Sequence, residues 1–220
     1  MKSLLALLAV LSFASTGAAQ AAAAATAPDE TKAIAQQLPS YPLTTCPISG
    51  EPLDSMGKPM DMVHEGRLVR FCCKSCVKEF KKDPAPTLKK IDEGVVQAQK
   101  ASYPLTKCVV SGEELGSAGE PVDYVQGTRL VRLCCKDCIK GVQKDPAKAL
   151  ATVDAALIEA QKKTYPLTTC VVCSKKIEGA GVDHLYGVRL VRFCSDACAP
   201  AFDKEPAKYV AQLDAAPKKN

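Results

Sequence analysis

The chain has 220 residues, with 29 basic and 24 acidic side chains, a formal net charge of +5 and twelve cysteines. This near balance of charge gives no reason to expect a nucleic-acid partner, and an apolar fraction of 47% is too high for a disordered protein. Six tyrosines, five phenylalanines and no tryptophan argue against a single large aromatic core. The length fits one or two ordinary domains or several very small ones. An even and high number of cysteines indicates disulfides or metal sites.

The N-terminus has the order of a secretory signal peptide. Lys2 precedes a short apolar run over residues 4–13, and small residues follow as far as Ala21. The run is about half of the roughly 20 apolar residues that a transmembrane helix needs. We therefore predict a signal peptide over residues 1–21, a periplasmic or secreted location and no stable membrane insertion after cleavage; an uncleaved anchor is the alternative. Residues 22–40 are rich in alanine and are predicted to be a tether.

One sequence motif occurs three times, at intervals of 62 residues. Tyr-Pro-Leu-Thr begins at Tyr41, Tyr103 and Tyr165, and each copy is followed by Arg-Leu-Val-Arg and by an acidic residue before proline. Each copy also contains four of the twelve cysteines. Internal repetition of this kind predicts tandem structural modules. The predicted boundaries are 41–102 for module 1, 103–164 for module 2 and 165–216 for module 3, with a tail over 217–220.

Each module predicts a small α+β unit. The first cysteine follows the Tyr-Pro-Leu-Thr lead-in on a turn, and a β-hairpin comes next, with its turn near Glu65–Gly66 in module 1. A short helix is expected near the second cysteine. A longer helix begins at Asp83–Pro84, and Leu88, Ile91 and Val95 form one apolar face of it. In modules 1 and 2 this amphipathic helix is predicted to act as a spacer between modules.

The cysteines of module 3 have the spacing of a metal site. Cys170 and Cys173 form a Cys-x₂-Cys pair, and Cys194 and Cys198 form a Cys-x₃-Cys pair 20 residues further on. Two short-spaced pairs separated by a hairpin suit a tetrahedral four-thiolate site.

Modules 1 and 2 differ from module 3 at one ligand position. Ser49 and Ser111 stand in the place of Cys173, whereas Cys73 and Cys135 stand in the place of Ser195. The first cysteine and the Cys-x₃-Cys pair are common to all modules, so we infer that these three form the shared site. The fourth ligand is Cys73 or Cys135, an external ligand, or water. Such soft sites suit Zn²⁺ or Cu⁺. The candidate ligands in these two modules are Cys46, Cys72, Cys73 and Cys76, and Cys108, Cys134, Cys135 and Cys138.

The segment from Phe193 through Cys194 and Cys198 to Phe202 resembles the C-terminal half of a YHS domain, and Cys46-Pro-Ile-Ser-Gly resembles the opening of that family. The wider group of TRASH-like domains is associated with heavy-metal trafficking, resistance and sensing. The resemblance covers three copies over residues 41–216 and implies a small zinc-ribbon-like ββα unit. It also implies that one cysteine and the Cys-x₃-Cys pair bind the metal. The histidine of the YHS name has no evident counterpart.

These features bear on three classes of function. We predict an exported protein that sequesters, senses or passes on thiophilic metal, with metal ions and another exported metal-handling protein as partners. The alternative is a disulfide-stapled extracellular scaffold without metal, since a module of about 60 residues buries little core. An enzyme is disfavoured, because the Cys-x₂-Cys pairs lack a thioredoxin-like βαβ pattern and His64 and His184 are not repeated between modules.

Overall fold

The computed structural model describes residues 27–217. Three antiparallel hairpins alternate with helices in an α+β arrangement, in agreement with the predicted fold class. Within the described residues, no helix is both long enough and apolar enough to cross a membrane. The predicted signal peptide, residues 1–21, lies outside the described range. The strands are β1 Met60–His64, β2 Arg67–Phe71, β3 Val122–Gln126, β4 Arg129–Leu133, β5 Val182–Tyr186 and β6 Arg189–Phe193. The helices are α1 Ala27–Gln37, α2 Lys74–Lys82, α3 Ala85–Gln99, α4 Cys138–Lys144, α5 Pro146–Lys162, α6 Ala199–Lys204 and α7 Pro206–Ala215.

Each hairpin is closed by a two-residue turn at the predicted position. In module 1 both Glu65 and Gly66 have positive φ, as a type I′ turn requires. In modules 2 and 3 only the first turn residue, Gly127 or Gly187, has positive φ, as in a type II′ turn. These primed turns match the right-handed twist of the strands, so all three hairpins keep the same five-residue register.

The second strand of each hairpin is buried on both faces. In β4, Val131 and Leu133 pack in the core of module 2, whereas Leu130 packs in the core cluster that contains α3 residues Ile91 and Val95. Successive side chains of a strand point to opposite faces. A helix from the preceding module therefore covers the face of the hairpin that the hairpin's own module leaves open.

A glutamine near the end of each preceding helix hydrogen-bonds the next hairpin. The Gln99 side chain of α3 donates to the carbonyl of Thr128 at 2.8 Å and accepts from the N–H of Leu130 at 2.9 Å. Gln37 and Gln161 make the same pair of bonds to hairpins 1 and 3. These three glutamines are 62 residues apart, so each belongs to the repeat.

A helix that follows each hairpin contacts it too. Arg67 at the start of β2 forms an ion pair with Asp92 of α3. Equivalent pairs join Arg129 to Asp154 of α5 and Arg189 to Asp214 of α7. The helices α3 and α5 therefore bind the hairpins of two successive modules, which is a closer connection than the predicted spacer.

The N-terminal part of the described chain differs from the predicted tether. Residues 27–37 form α1, whose Glu30 accepts a hydrogen bond from the N–H of Val63 at 3.1 Å. This helix takes the place, for hairpin 1, that α3 and α5 take for hairpins 2 and 3. The alanine-rich composition did not distinguish a tether from a helix, because alanine is common in low-complexity segments and is also the strongest helix former.

Residues 37–40, which we call the N-terminal junction, contact the turns of all three hairpins. Besides bonding hairpin 1, Gln37 accepts a hydrogen bond through its carbonyl from Thr128 Oγ1 at 3.0 Å. The hydroxyls of Ser40 and Thr128 lie 2.6 Å apart. The turn of hairpin 3 contacts Pro39, since a Cβ built on Gly187 would lie 2.8 Å from the Pro39 carbonyl oxygen. The three modules therefore pack around this segment.

Candidate metal centres

A tight turn presents the first cysteine of each module. In module 1 the Cys46 N–H donates to the Glu51 carbonyl at 2.7 Å, and the Cys46 carbonyl accepts from the N–H of Gly50 at 2.8 Å. Gly50 has φ of 79°, a conformation that favours glycine. The same hydrogen bonds recur around Cys108 and Cys170. The turn holds the thiol against the core, where Cys46 is only 1% exposed.

The Cys-x₃-Cys pair comes from the junction between strand and helix. In module 1, Cys72 follows the last residue of β2, Cys73 is the N-cap of α2 and Cys76 lies in its first turn. One helical turn brings the first and last of these together, so that the Sγ atoms of Cys72 and Cys76 lie 3.8 Å apart. The matching distances are 3.7 Å for Cys134 and Cys138 and 3.8 Å for the pair in module 3.

Turn and helix bring the predicted cysteines together in three clusters. In each cluster all Sγ atoms lie within 4.8 Å of one another. The clusters are Cys46, Cys72 and Cys76; Cys108, Cys134 and Cys138; and Cys170, Cys173, Cys194 and Cys198. These distances fit a thiophilic ion, because sulfurs about 2.3 Å from a tetrahedral zinc lie about 3.8 Å from one another. Three groups of cysteines in the described part of the chain could therefore hold a metal ion.

A serine occupies the fourth corner in modules 1 and 2. The Oγ of Ser49 lies 3.3 Å from the Sγ of Cys72, and Ser111 stands at the same distance from Cys134. In module 3 the corresponding Sγ of Cys173 lies 3.4 Å from that of Cys194. Ser49, Ser111 and Cys173 therefore occupy equivalent positions in space, as the alignment of the three repeats predicts.

The remaining two predicted ligands lie beside the clusters. The Sγ of Cys73 is 3.6 Å from that of Cys76 and 3.1 Å from the Ser75 hydroxyl, but Cys73 does not belong to the cluster of mutually close sulfurs. Cys135 stands similarly, 3.7 Å from Cys138. Both are half-buried, whereas the three clustered cysteines of each of these modules are buried.

Hydrogen bonds lower the pKa of one thiol in each cluster, whereas burial raises the pKa of another. Desolvation raises the pKa of Cys46, but hydrogen bonds from the backbone of Ser49 and Cys72 and from the Ser49 hydroxyl outweigh it and lower the pKa to about 6. The pKa of Cys108 falls to about 6 and that of Cys170 to about 7 for similar reasons. Desolvation raises the pKa of the last cysteine of each module to about 12. Each cluster thus combines a stabilised thiolate with a thiol that must release its proton when a metal binds.

The repeated arginines pair with carboxylates rather than with thiols. Arg70 Nε lies 2.7 Å from Asp61 Oδ1 across the hairpin. The pairs of Arg132 with Asp123 and of Arg192 with Asp183 are equivalent, at 2.8 Å. These aspartates were not predicted from the sequence, although each stands nine residues before its arginine in every copy.

Neither histidine belongs to a cysteine cluster. The ring of His64 packs against Phe80 with centroids 5.0 Å apart, and His184 packs against Phe193 and Phe202. Both therefore contribute to the aromatic packing of their modules.

All twelve cysteines are free thiols in the structure. Their hydrogen-bonded Sγ pairs are separated by 3.4 to 3.9 Å, well beyond the roughly 2.05 Å of a disulfide bond. Comparisons of the chain with protein-family models, curated proteins and solved structures find no match.

Proposed function

We propose that this protein is an exported metal-binding protein that sequesters, senses or passes on thiophilic metal, Zn²⁺ or Cu⁺, through repeated cysteine sites. The observation that carries the proposal is the presence of three clusters of mutually close thiols at equivalent places in three modules. A single cluster would suit a structural ion in one small domain. Three such clusters on one chain favour the binding of several metal ions as the function of the whole protein.

The donor set supports a soft ion. Thiolate sulfur favours Zn²⁺ and Cu⁺ over hard cations such as Mg²⁺ and Ca²⁺, which prefer oxygen ligands. The clustered cysteines of modules 1 and 2 are buried, so an ion bound there would be shielded from water. We propose binding rather than catalysis as the activity, and another exported metal-handling protein as the partner.

Two further parts of the proposal rest on the sequence. The charged, apolar and small-residue order of residues 1–21 supports export, to the periplasm or the cell exterior. The resemblance of the repeats to YHS and TRASH-like domains supports a heavy-metal function and a zinc-ribbon-like unit. The distances between the thiols support the same assignment of ligands.

Native mass spectrometry of the mature protein tests the proposal. The protein is purified under reducing conditions, supplied with Zn²⁺ or Cu⁺ and desalted. We expect three ions per chain, one for each cluster. The matched control is a variant in which Cys76, Cys138 and Cys198 are all replaced by serine, and it should retain none tightly.

The same measurement separates the disulfide alternative. Six disulfides lower the intact mass by about 12 Da, whereas thiols held by a metal keep their full mass after the ion is removed. A protein that carries six disulfides and no metal would contradict the proposed function.

A further inference from the structure

Two kinds of cysteine site occur on the chain. Module 3 holds four mutually close thiols, whereas modules 1 and 2 each hold three. One additional thiol lies beside each of these two clusters, Cys73 in module 1 and Cys135 in module 2, and we call it the edge thiol. The difference arises from a reciprocal exchange of side chains. Module 3 has Cys173 and Ser195, and module 1 has Ser49 and Cys73 at the corresponding positions. The number of cysteines per module is conserved by this exchange, but the position of the fourth thiol changes.

The edge thiol is the accessible member of its module. In module 1 the clustered cysteines Cys46, Cys72 and Cys76 are 1%, 5% and 6% exposed, which leaves little surface for an incoming ligand. Cys73 is half-buried, at the start of α2, and its sulfur is 3.6 Å from that of Cys76. An ion bound by the cluster would therefore have a solvent-accessible thiol, that of Cys73, next to one of its ligands, Cys76.

Module 2 repeats this arrangement. Cys135 is half-buried, and its sulfur lies 3.9 Å from that of Cys134 and 3.7 Å from that of Cys138. These distances are close to the separation of about 3.8 Å between two sulfurs of a tetrahedral thiolate site. The edge thiol and two cluster thiols can therefore contact one ion together. The opposite corner is occupied by the hydroxyl of Ser111, a poor ligand for a soft ion.

We propose that Cys73 and Cys135 are transfer ligands through which modules 1 and 2 exchange their ions with an acceptor that carries thiolates. Module 3, in contrast, surrounds its ion with four thiolates of its own, one of them the exposed Cys173, and has no additional thiol beside them. This inference rests on the proposed function and assigns its exchange step to two residues. The edge thiolate forms a bond to the ion as one cluster thiolate leaves. The proton lost by the edge thiol is taken up by the thiolate that is freed. Two acceptor thiols then bond to the ion as thiolates while the remaining thiolates of the module leave it and take up the acceptor's protons, and the ion keeps its oxidation state throughout.

The test follows Zn²⁺ leaving the loaded full-length mature chain. Protein that carries three ions is mixed with excess of a short peptide containing a Cys-x-x-Cys acceptor, and native mass spectra count the remaining ions over time. In the wild-type protein, two ions should leave quickly and one slowly. A double variant, Cys73→Ser with Cys135→Ser, should slow the fast loss by about tenfold or more, the scale on which changes around a metal act.

The gain-of-function variant Ser195→Cys keeps the test independent of a loss of folding. It places an edge thiol in module 3, and we expect the slow ion to leave faster. Equal transfer rates in the wild-type and double-variant proteins would overturn the inference, as would a double variant that binds only one ion, since the edge thiols would then be permanent ligands. Both results leave the proposed function standing. A wild-type protein that takes up no Zn²⁺ or Cu⁺ overturns the proposed function itself.

Discussion

A single side-chain position separates the two kinds of cysteine site. Ser49, Ser111 and Cys173 occupy the same corner of their modules, 3.3 to 3.4 Å from the first sulfur of the Cys-x₃-Cys pair. A hydroxyl and a thiol are similar in size but differ greatly in their affinity for soft ions. The residue at this corner therefore decides whether a module offers three or four thiolate ligands.

Exchanging the corner residues should exchange the metal affinities of modules 1 and 3. Ser49→Cys gives module 1 a fourth close thiol, and we expect its affinity for Zn²⁺ to rise by about tenfold or more. Cys173→Ser should weaken module 3 by a similar factor. Titration of each variant against a competing chelator measures both changes, and unchanged affinity in both would contradict the role of this corner.

The tyrosine that begins each repeat is a second residue whose chemistry depends on the fold. Burial raises the pKa of Tyr41 from its ordinary value of 10.0 to about 12, although a hydrogen bond from the Arg70 N–H opposes the shift. Burial also raises the pKa of Tyr103 and Tyr165. Because the pKa is higher in the folded protein, the stabilisation is complete below pH 10 and is lost as the pH rises through about 12.

Spectrophotometric titration of phenolate should detect this shift. We expect the wild-type protein to show late phenol ionisation near pH 12, and Tyr41→Phe to reduce its amplitude by the contribution of one tyrosine. A single step at the ordinary tyrosine pKa in the folded protein would contradict the burial of Tyr41.

At the scale of elements, each hairpin depends on the glutamine of the helix before it. The amide of Gln99 satisfies one buried carbonyl and one buried N–H of hairpin 2, and its own side chain is only 7% exposed. A buried backbone group without a partner costs about 1–3 kcal/mol. The amide therefore contributes more than an exposed hydrogen bond would.

Gln99→Ala should lower the free energy of unfolding by about 2–4 kcal/mol, because it leaves both backbone groups of hairpin 2 without a partner. Gln37→Ala is the matched control. Its bond to Gly66 is exposed, so water can replace the amide there and the loss should be smaller. Denaturant unfolding of the loaded protein measures both, and equal losses in the two variants would contradict the argument.

Much of each element was predictable from local sequence. The hairpins and their turns were predicted correctly because turn residues and β-branched strands are local signals, and the shared cysteine triads followed from spacing. The glutamines, the aspartates that pair with Arg67, Arg129 and Arg189, and the role of α1 were missed. Each acts on a partner 25 or more residues away, so no local pattern identifies it. The identity of the module as a zinc-ribbon-like unit stays a prediction.

At the scale of the whole molecule, the repeats are joined more closely than a linear array. In a solenoid each repeat contacts only its neighbours. Here the N-terminal junction contacts hairpin 1 through Gln37, hairpin 2 through Thr128 and hairpin 3 through Gly187. Modules 1 and 3 are therefore linked without passing through module 2.

Two glycine substitutions test this link. Gly66→Ala and Gly187→Ala both place an alanine at positive φ, which costs about 1–2 kcal/mol. Only at Gly187 does the added Cβ also meet backbone, 2.8 Å from the Pro39 carbonyl, whereas nothing lies within 4 Å at Gly66. We expect Gly187→Ala to lower the melting temperature further than Gly66→Ala. Equal shifts would show that hairpin 3 does not contact the N-terminal junction in solution.

The junction also has a consequence for the order in which the chain can fold. Pro39 and Gly187 are about 150 residues apart in sequence, and contacts of such separation close late because the loop between them must first lose its entropy. The first module can form its own thiol cluster early, but its N-terminal segment finds all its partners only after the last hairpin exists. Completion of the native state therefore depends on the final third of the chain, and a fragment that ends after module 2 would leave one side of residues 37–40 without its packing.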